Sequence, residues 1–255
     1  MGAGRDTTAV VIRTVDYNDN DKMVTLLTQD YGRMSARIRG CKKPASKLFS
    51  AASLFCCGDF SFFEKDGRYG VKGCSIRRTF FGLQDDYDAY AAACFIADAV
   101  DKVAQEDDVP SGLFTLTVNA LYALDTGAAP AGTVLCWFLQ RLLHIEGVYP
   151  SLAACAVCGG EPPLVKFSAE HGGALCGACA RGIKGEPIDE AFLNALRLLA
   201  RTAAKDIGSI SISDDAQKRL SASLIAYLEH VLQRPLKTAK YIGGGAKKDA
   251  VINDK

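Results

Sequence analysis

Two Cys-x-x-Cys pairs constrain the fold of this chain more than any other feature. Cys155 and Cys158 form the first pair, and Cys176 and Cys179 form the second after seventeen intervening residues. This spacing is typical of a four-thiolate zinc site, in which two tight turns direct their sulfurs at one ion. Four protein ligands leave no open coordination position, so the predicted Zn²⁺ is structural.

The segment between the two pairs predicts a zinc ribbon. Two short β-rich runs, at 164–168 and 173–175, flank a glycine-containing turn. The alternatives are four unrelated buried cysteines, a redox dithiol, or His171 replacing one cysteine as a ligand. Two matched pairs are more than a redox motif needs, and His171 lies in the predicted turn. We therefore predict a Zn(Cys)4 site.

Charge is segregated along the chain. The 255 residues carry a net charge of only +1, but residues 1–82 carry +6 and residues 83–150 carry −8. The ribbon is neutral, and residues 183–255 carry +3. A basic N-terminal segment joined to an acidic central segment indicates two different kinds of binding partner.

The remaining cysteines show no ligand spacing and lie mostly in apolar runs; they are Cys41, Cys56, Cys57, Cys74, Cys94 and Cys136. The sequence has no recognisable signal peptide and no apolar run long enough to cross a bilayer. These features predict a cytoplasmic protein with free thiols and no membrane contact.

The predicted fold class is α+β with several domains. Period-2 alternation predicts strands at 7–17, 23–28, 33–39, 54–64 and 69–78. Five short strands in this length fit a closed barrel of the OB type, with a five-strand sandwich as the alternative.

Beyond residue 84 the periodicity becomes helical. It predicts helices at 87–103, 131–146, 188–203 and 214–233, and a further helix that Pro110 and Ser111 open and that runs through Leu124. Glu186 and Pro187 are predicted to introduce the helix at 188–203. The predicted domains are an OB barrel over 1–82, an acidic helical region over 83–150, a ribbon over 151–182 inserted in the helical domain, C-terminal helices over 183–242 and a disordered tail over 243–255.

Basic residues are concentrated on one part of the predicted barrel. No acid occurs between Tyr31 and Gly58, where one strand carries alternating arginines and runs into a long, lysine-rich loop. Such a face suits a phosphate backbone, and the alternative is an ordinary solvated surface. The candidate nucleic-acid-binding residues are Arg33, Arg37, Arg39, Lys42, Lys43, Lys47, Lys72, Arg77 and Arg78. Tyr31, Phe49 and Tyr69 are candidates for stacking on bases.

No catalytic constellation is recognisable. The chain has no phosphate-binding glycine loop, no dinucleotide fingerprint after a strand and no nucleophile elbow. The three histidines, His144, His171 and His230, are isolated from one another in the sequence. We therefore expect a protein that is not an enzyme.

Several short sequence motifs together resemble those of the bacterial recombination mediator family RecO. The most specific is the ribbon entry at 150–159, which reads Pro-x-Leu-x-x-Cys-x-x-Cys-Gly. Others are Val-Thr-Leu-Leu-Thr at 24–28 followed by Gly32, Phe167-Ser168 before the second Cys-x-x-Cys, and a last helix that runs into 232–241. The loop at 40–47 departs from the family pattern in having few arginines, as does Cys56-Cys57-Gly58.

The resemblance implies a non-catalytic protein of DNA repair and homologous recombination, associated with the nucleoid. Such proteins bind single- and double-stranded DNA through basic residues of the barrel and anneal complementary strands. They partner the ring protein RecR and help load recombinase onto strands coated by single-strand DNA-binding protein (SSB). An apolar groove rimmed by Arg197, Arg201 and Lys205 is the expected dock for the acidic SSB tail, and the acidic helical block is expected off the DNA path.

Two other functions share these sequence features. One is a zinc-ribbon protein that binds RNA or acts in transcription, and it would prefer structured RNA and anneal no strands. The other is a protein-interaction scaffold whose basic face only contacts solvent. Charge reversal at Arg37 and Lys43 would leave the nucleic-acid binding of such a scaffold unchanged.

Overall fold

The first five strands close into a barrel, in a computed structural model that describes residues 5–108 and 111–243. The strands are β1 (Arg5–Asp16), β2 (Lys22–Thr28), β3 (Arg33–Ile38), β4 (Cys57–Lys65) and β5 (Arg68–Arg78). They are ordered β1-β2-β3-β5-β4, and β1 also pairs with β4. This closure confirms the predicted OB-type barrel over the five-strand sandwich.

Strand β1 is buried on both of its faces. Ala9 and Val11 point into the barrel interior, whereas Val10 and Ile12 pack against the helices outside it. Because successive side chains of a strand point to opposite faces, double burial produces an unbroken apolar run in the sequence. The barrel and the helices are therefore held together across this strand.

The long loop between β3 and β4 closes one end of the barrel. Cys41, Ala51 and Ala52 are fully buried with the barrel core, the last two within a 3₁₀ turn at Ser50–Ala52. The ends of the loop are thus fixed by packing, and its lysines lie on the exposed stretch between them.

The helical region surrounds one central helix. The helices are α1 (Tyr87–Val103), α2 (Leu113–Asp125), α3 (Ala131–Ile145), α4 (Glu190–Arg201) and α5 (Asp214–Leu232). Helix α3 contacts the other four, and Trp137 on it donates a hydrogen bond from Nε1 to the carbonyl of Thr202 at 2.9 Å. Within residues 5–108 and 111–243, no helix has the length and apolarity needed to cross a membrane.

The ribbon contains three strands rather than the two predicted. Strands β6 (Leu164–Ser168) and β7 (Gly173–Cys176) form the expected hairpin, and β8 (Glu186–Pro187) adds to the free edge of β6. The prediction that Glu186 and Pro187 introduce a helix was wrong. Pro187 lies on an edge strand, where its missing N–H is tolerated, and Asp189 caps α4 by accepting a 2.7 Å hydrogen bond from the amide of Phe192.

The ribbon shares its hydrophobic core with the helices. Phe167 of β6 packs edge-on against Tyr227 of α5, with ring centroids 6.1 Å apart, and also against Phe192 of α4 at 6.3 Å. The predicted tail over 243–255 lies outside the described residues, except for Gly243.

A buried ion pair joins the barrel to the first helix. Arg33 of β3 donates from Nε to Asp101 of α1 at 2.7 Å, and the Asp101 side chain is only 8% exposed. Burial acts to raise the pKa of Asp101, but the hydrogen bond and charge of Arg33, with that of Lys102, outweigh it and hold this pKa below its usual value. The segment that follows α1 lies beside the barrel, where Glu106 forms an antiparallel β-bridge with Gly32.

We predict that Gly32→Ala destabilises this junction more than Gly67→Ala destabilises the β4–β5 turn. Both glycines have positive φ, +63° and +69°, so replacement by alanine lowers the free energy of unfolding by about 1 kcal/mol at either position. At Gly32 a Cβ would also overlap the carbonyl oxygens of Gln105 and Asp108, whereas no atom lies within 4 Å at Gly67. That overlap adds about 1–3 kcal/mol. Chemical denaturation of the two variants measures the difference, and equal losses would contradict the close packing at Gly32.

Candidate metal centre and nucleic-acid interface

The structure brings the four predicted cysteines together. The Sγ atoms of Cys155, Cys158, Cys176 and Cys179 all lie within 4.8 Å of one another, and those of Cys158 and Cys176 are 3.8 Å apart. Four thiolates at about 2.3 Å from a central ion, arranged as a tetrahedron, place their sulfurs about 3.8 Å apart. The cluster therefore fits a tetrahedral metal ion.

Backbone amides prepare the site for a cation. Hydrogen bonds from the amides of Cys176 and Cys158 lower the pKa of the Cys155 thiol to about 6, which favours the thiolate form that binds metal. Cys155 is buried, and Cys158 is exposed at the rim. His171 does not replace a cysteine, since its Nδ1 lies 3.0 Å from the hydroxyl of Ser168 and it is not part of the cluster.

A groove of about 890 Å³ crosses the barrel on the side of β3 and the β4–β5 turn. Its cations are Arg5, Arg33, Arg37, Arg39, Lys65 and Arg68, and its aromatic residues are Tyr17, Tyr31, Phe63 and Tyr69. This combination of cations and aromatic rings is the one that single-stranded nucleic-acid channels use, because cations contact phosphates and rings stack on bases.

Three arginines in the groove are stacked on aromatic rings. The guanidinium carbon of Arg37 lies 4.7 Å from the ring centroid of Tyr17, and that of Arg39 lies 5.8 Å from Phe63. Arg5 lies over both Tyr31 and Tyr69. Phe63 lies flat across β5 because position 70 is a glycine, where any side chain would collide with the ring. Stacking holds these flexible side chains along the groove.

Acids from the helical region also line this groove. Asp107 accepts a hydrogen bond from Nη1 of Arg5 at 2.8 Å, and Glu106 lies 3.6 Å from Arg33. The expectation that the acidic block lies away from the basic face was wrong for this segment. Sequence separation concealed the contact, which the bridge between Gly32 and Glu106 creates.

The nine predicted basic residues do not form one surface. Arg33, Arg37 and Arg39 line the groove, and Lys43 lies beside Arg39 in a neighbouring pocket. Five of the nine are paired with acids: Arg33, Arg37, Lys42, Arg77 and Arg78. Within the described part of the chain, Arg39, Lys43, Lys47 and Lys72 have no such partner, and all four are exposed.

Sequence reasoning missed five cationic or aromatic residues that line the groove: Arg5, Tyr17, Phe63, Lys65 and Arg68. Arg5 precedes the predicted first strand, and nothing local marks it as a neighbour of Tyr31. Arg68 could have been found, since it directly follows the glycine turn that joins β4 to β5 and therefore lies at the end of the barrel.

The turn between β1 and β2 is organised around Asp21. Its carboxylate accepts hydrogen bonds from Arg37 Nε at 2.8 Å, from the amide of Gly40 at 2.7 Å and from the side chain of Asn18 at 3.1 Å. The Gly40 amide and then Arg37 lower its pKa to about 2. Asp21 therefore holds Arg37 beside Tyr17 and fixes the start of the lysine-rich loop.

Together these features define a class of protein: an OB-type barrel with a cationic, aromatic groove, joined to helices that carry a four-cysteine ribbon. Comparison with known families is consistent with this class. Residues 4–80 match the family model for the recombination protein O N-terminal domain, and residues 84–240 match the model for its C-terminal domain.

Curated relatives extend over nearly the whole chain. The chain is 34% identical over 241 residues to the DNA repair protein RecO of Anaeromyxobacter dehalogenans (strain 2CP-C), covering 92% of this chain and 94% of the relative. It is 29% identical over 234 residues to the protein of the same name in Bacillus cereus (strain AH187), covering 91% and 94%. The chain belongs to the RecO family of DNA repair proteins.

We predict that Cys176→Ser loses the metal and lowers the thermal stability of the protein or its soluble yield. Removal of one thiolate breaks the tetrahedron, and metal affinity in such ribbons is coupled to folding. Elemental analysis of purified wild type should give about one metal ion per chain. Cys94→Ser, at a half-buried cysteine outside the cluster, should keep the metal; a stable, metal-loaded Cys176→Ser protein would contradict the four-cysteine site.

A second prediction concerns acid stability. The pKa of Asp21 in the folded protein is about 2, below its ordinary value of 3.8, so its contribution to stability is complete above about pH 5 and is lost as the pH falls toward 2. Asp21→Asn should therefore be less stable than wild type near pH 6, and the two should converge near pH 2. Denaturant midpoints measured across this range test the prediction, and a gap independent of pH would refute it.

Proposed function

We propose that this protein is a non-catalytic mediator of DNA repair and homologous recombination. In this proposal its barrel binds single- and double-stranded DNA and anneals complementary strands. The groove carries the proposal, because it places stacked arginines beside aromatic rings along one face. The family membership supports it, since the matched relatives are named DNA repair proteins.

Annealing follows from charge neutralisation. Two complementary strands repel each other through their phosphates, and each cation that contacts a phosphate releases a condensed counterion. A face that neutralises several phosphates lowers the repulsion, and its effect weakens steeply with salt. Such contacts carry no sequence information, so the protein would anneal any complementary pair.

The proposed partners are RecR, SSB and the recombinase that this protein would help load onto SSB-coated strands. We propose that the acidic SSB tail binds a surface formed by α4 and the turn that follows it. Arg197 and Arg201 are exposed there, Leu198 between them is 48% exposed, and Lys205 follows in the next turn. Within the described ranges none of the three cations is paired with an acid. An apolar side chain between free cations suits an acidic peptide with apolar residues.

We propose Zn²⁺ as the metal of the four-cysteine site. Four thiolates in a tetrahedron favour zinc over hard cations such as Mg²⁺ and Ca²⁺, which prefer oxygen ligands. A site with four protein ligands has no position for a substrate. The ion would therefore stabilise the ribbon and the core that the ribbon shares with α4 and α5.

The test neutralises the four predicted cations that have no acidic partner. We expect Arg39, Lys43, Lys47 and Lys72, each changed to Gln, to weaken single-strand binding and annealing. If all four contact phosphates, the slope of log K against log salt should fall by about 3. Arg33 is left intact, because its pairing with Asp101 makes its loss a test of folding. Fluorescence anisotropy and annealing of complementary oligonucleotides provide the readouts.

The matched control removes four exposed cations elsewhere. Lys184, Lys218, Arg234 and Lys237, each changed to Gln, produce the same change in net charge away from the barrel. This variant should bind and anneal like wild type. Equal losses in both variants would contradict a DNA site on the barrel. Folded wild-type protein that binds structured RNA and anneals no DNA would favour the RNA-binding alternative.

A further inference from the structure

Arg5, at the start of β1, lies between two tyrosines that come from different strands and turns. Its guanidinium carbon is 4.7 Å from the ring centroid of Tyr31 and 5.3 Å from that of Tyr69. Both rings line the groove and are partly exposed. The cluster thus places one cation between two aromatic rings that are each partly accessible to solvent.

The acid on Arg5 comes from the helical region. Asp107 accepts from Nη1 of Arg5 at 2.8 Å, and its own amide donates to the carbonyl of Tyr31 at 3.2 Å. The side chain of Asp107 is nevertheless 70% exposed. A carboxylate and a phosphate present similar acceptor oxygens to a guanidinium, so a strand entering the groove would compete for the same donor.

We propose that Arg5, Tyr31 and Tyr69 form a subsite for one nucleotide of an unpaired strand, and that Asp107 occupies its phosphate position in the free protein. The inference rests on the proposed function of the groove. It adds that the groove prefers an unpaired strand and that Asp107 competes with the phosphate for Arg5. A phosphate displaces Asp107 from Arg5, while the base stacks on Tyr31 or Tyr69.

The aromatic rings favour an unpaired strand. Bases stack on side chains only when their faces are accessible, and in a duplex neighbouring base pairs cover those faces. Stacking also tolerates any base, which suits a protein that acts on strands of any sequence. Duplex DNA would contact the cations but gain nothing from the tyrosines.

Two of the acids that contact the groove arginines, Asp101 and Asp107, differ in how firmly they are held. Asp101, which pairs with Arg33, is 8% exposed and anchors α1 to the barrel, whereas Asp107 is largely in solvent. An exposed pair is held weakly against a competing anion. The strand therefore displaces Asp107, and Arg33 remains paired with Asp101.

The first experiment compares Asp107→Asn with wild type on a labelled oligo-dT strand and on a labelled duplex hairpin. Loss of an exposed competing carboxylate should tighten single-strand binding about two- to fivefold, and duplex binding should tighten similarly because duplex phosphates also reach the cations. The matched control is Glu186→Gln, which makes the same change in net charge and removes a pair of similar length, 2.7 Å, between the ribbon sheet and Arg219 of α5. This control should leave both affinities unchanged.

The second experiment tests the rings. Tyr69→Leu should weaken binding of the single strand on the order of tenfold and leave duplex binding nearly unchanged. Tyr69→Phe keeps the ring and should bind like wild type, which separates stacking from a general loss of barrel structure.

The outcomes separate this inference from the function on which it rests. If wild-type protein binds DNA but Asp107→Asn binds the single strand no more tightly, the proposed competition by Asp107 is overturned. A Tyr69→Leu variant that binds single strands like wild type would overturn the subsite. If folded wild-type protein bound no DNA at all, the proposed function itself would fail.

Discussion

The pairing of Arg33 with Asp101, together with the packing of β1 on the helices, fixes how the barrel meets α1. A carboxylate that is almost fully buried must keep its cation, because an unpaired charge in that position would be very costly. Strand β3 is therefore tied to the end of α1, and the acidic segment that follows α1 is forced to run along the edge of the barrel. The groove is lined mainly by barrel residues, and this segment adds Glu106 and Asp107 to its edge.

The ribbon depends on a second constraint, the core that it shares with the helices. Phe167 lies between the two Cys-x-x-Cys pairs in the sequence and packs against α4 and α5 in space. A metal ion that fixes the ribbon turns therefore also fixes the position of this side chain. This explains how a small three-stranded sheet is stable in the middle of a helical region.

The sequence predicts what depends on local patterns. Alternation located the five barrel strands, helical periodicity located α1 to α5, and the Cys-x-x-Cys spacing identified all four members of the thiol cluster. It did not predict contacts between distant segments. Nothing near Arg5 indicates Asp107, and nothing near Arg33 indicates Asp101, because these pairs arise only when the barrel packs on α1.

The same limit explains the errors. Glu186 and Pro187 precede an amphipathic run and resemble a helix start, but the free edge of β6 recruits them as a strand. The acidic segment after α1 was expected away from the basic face, yet the bridge between Gly32 and Glu106 brings it to the groove. In each case tertiary packing outweighed a local signal.

Trp137 is the only tryptophan in the chain, and it lies in the helical core with its indole N–H bonded to Thr202. Its emission therefore reports on the environment of α3 and of the end of α4. The barrel contains no tryptophan, so this emission is free of any contribution from a barrel indole. Loosening of the helical core can thus be followed in an unlabelled sample by exciting the tryptophan alone.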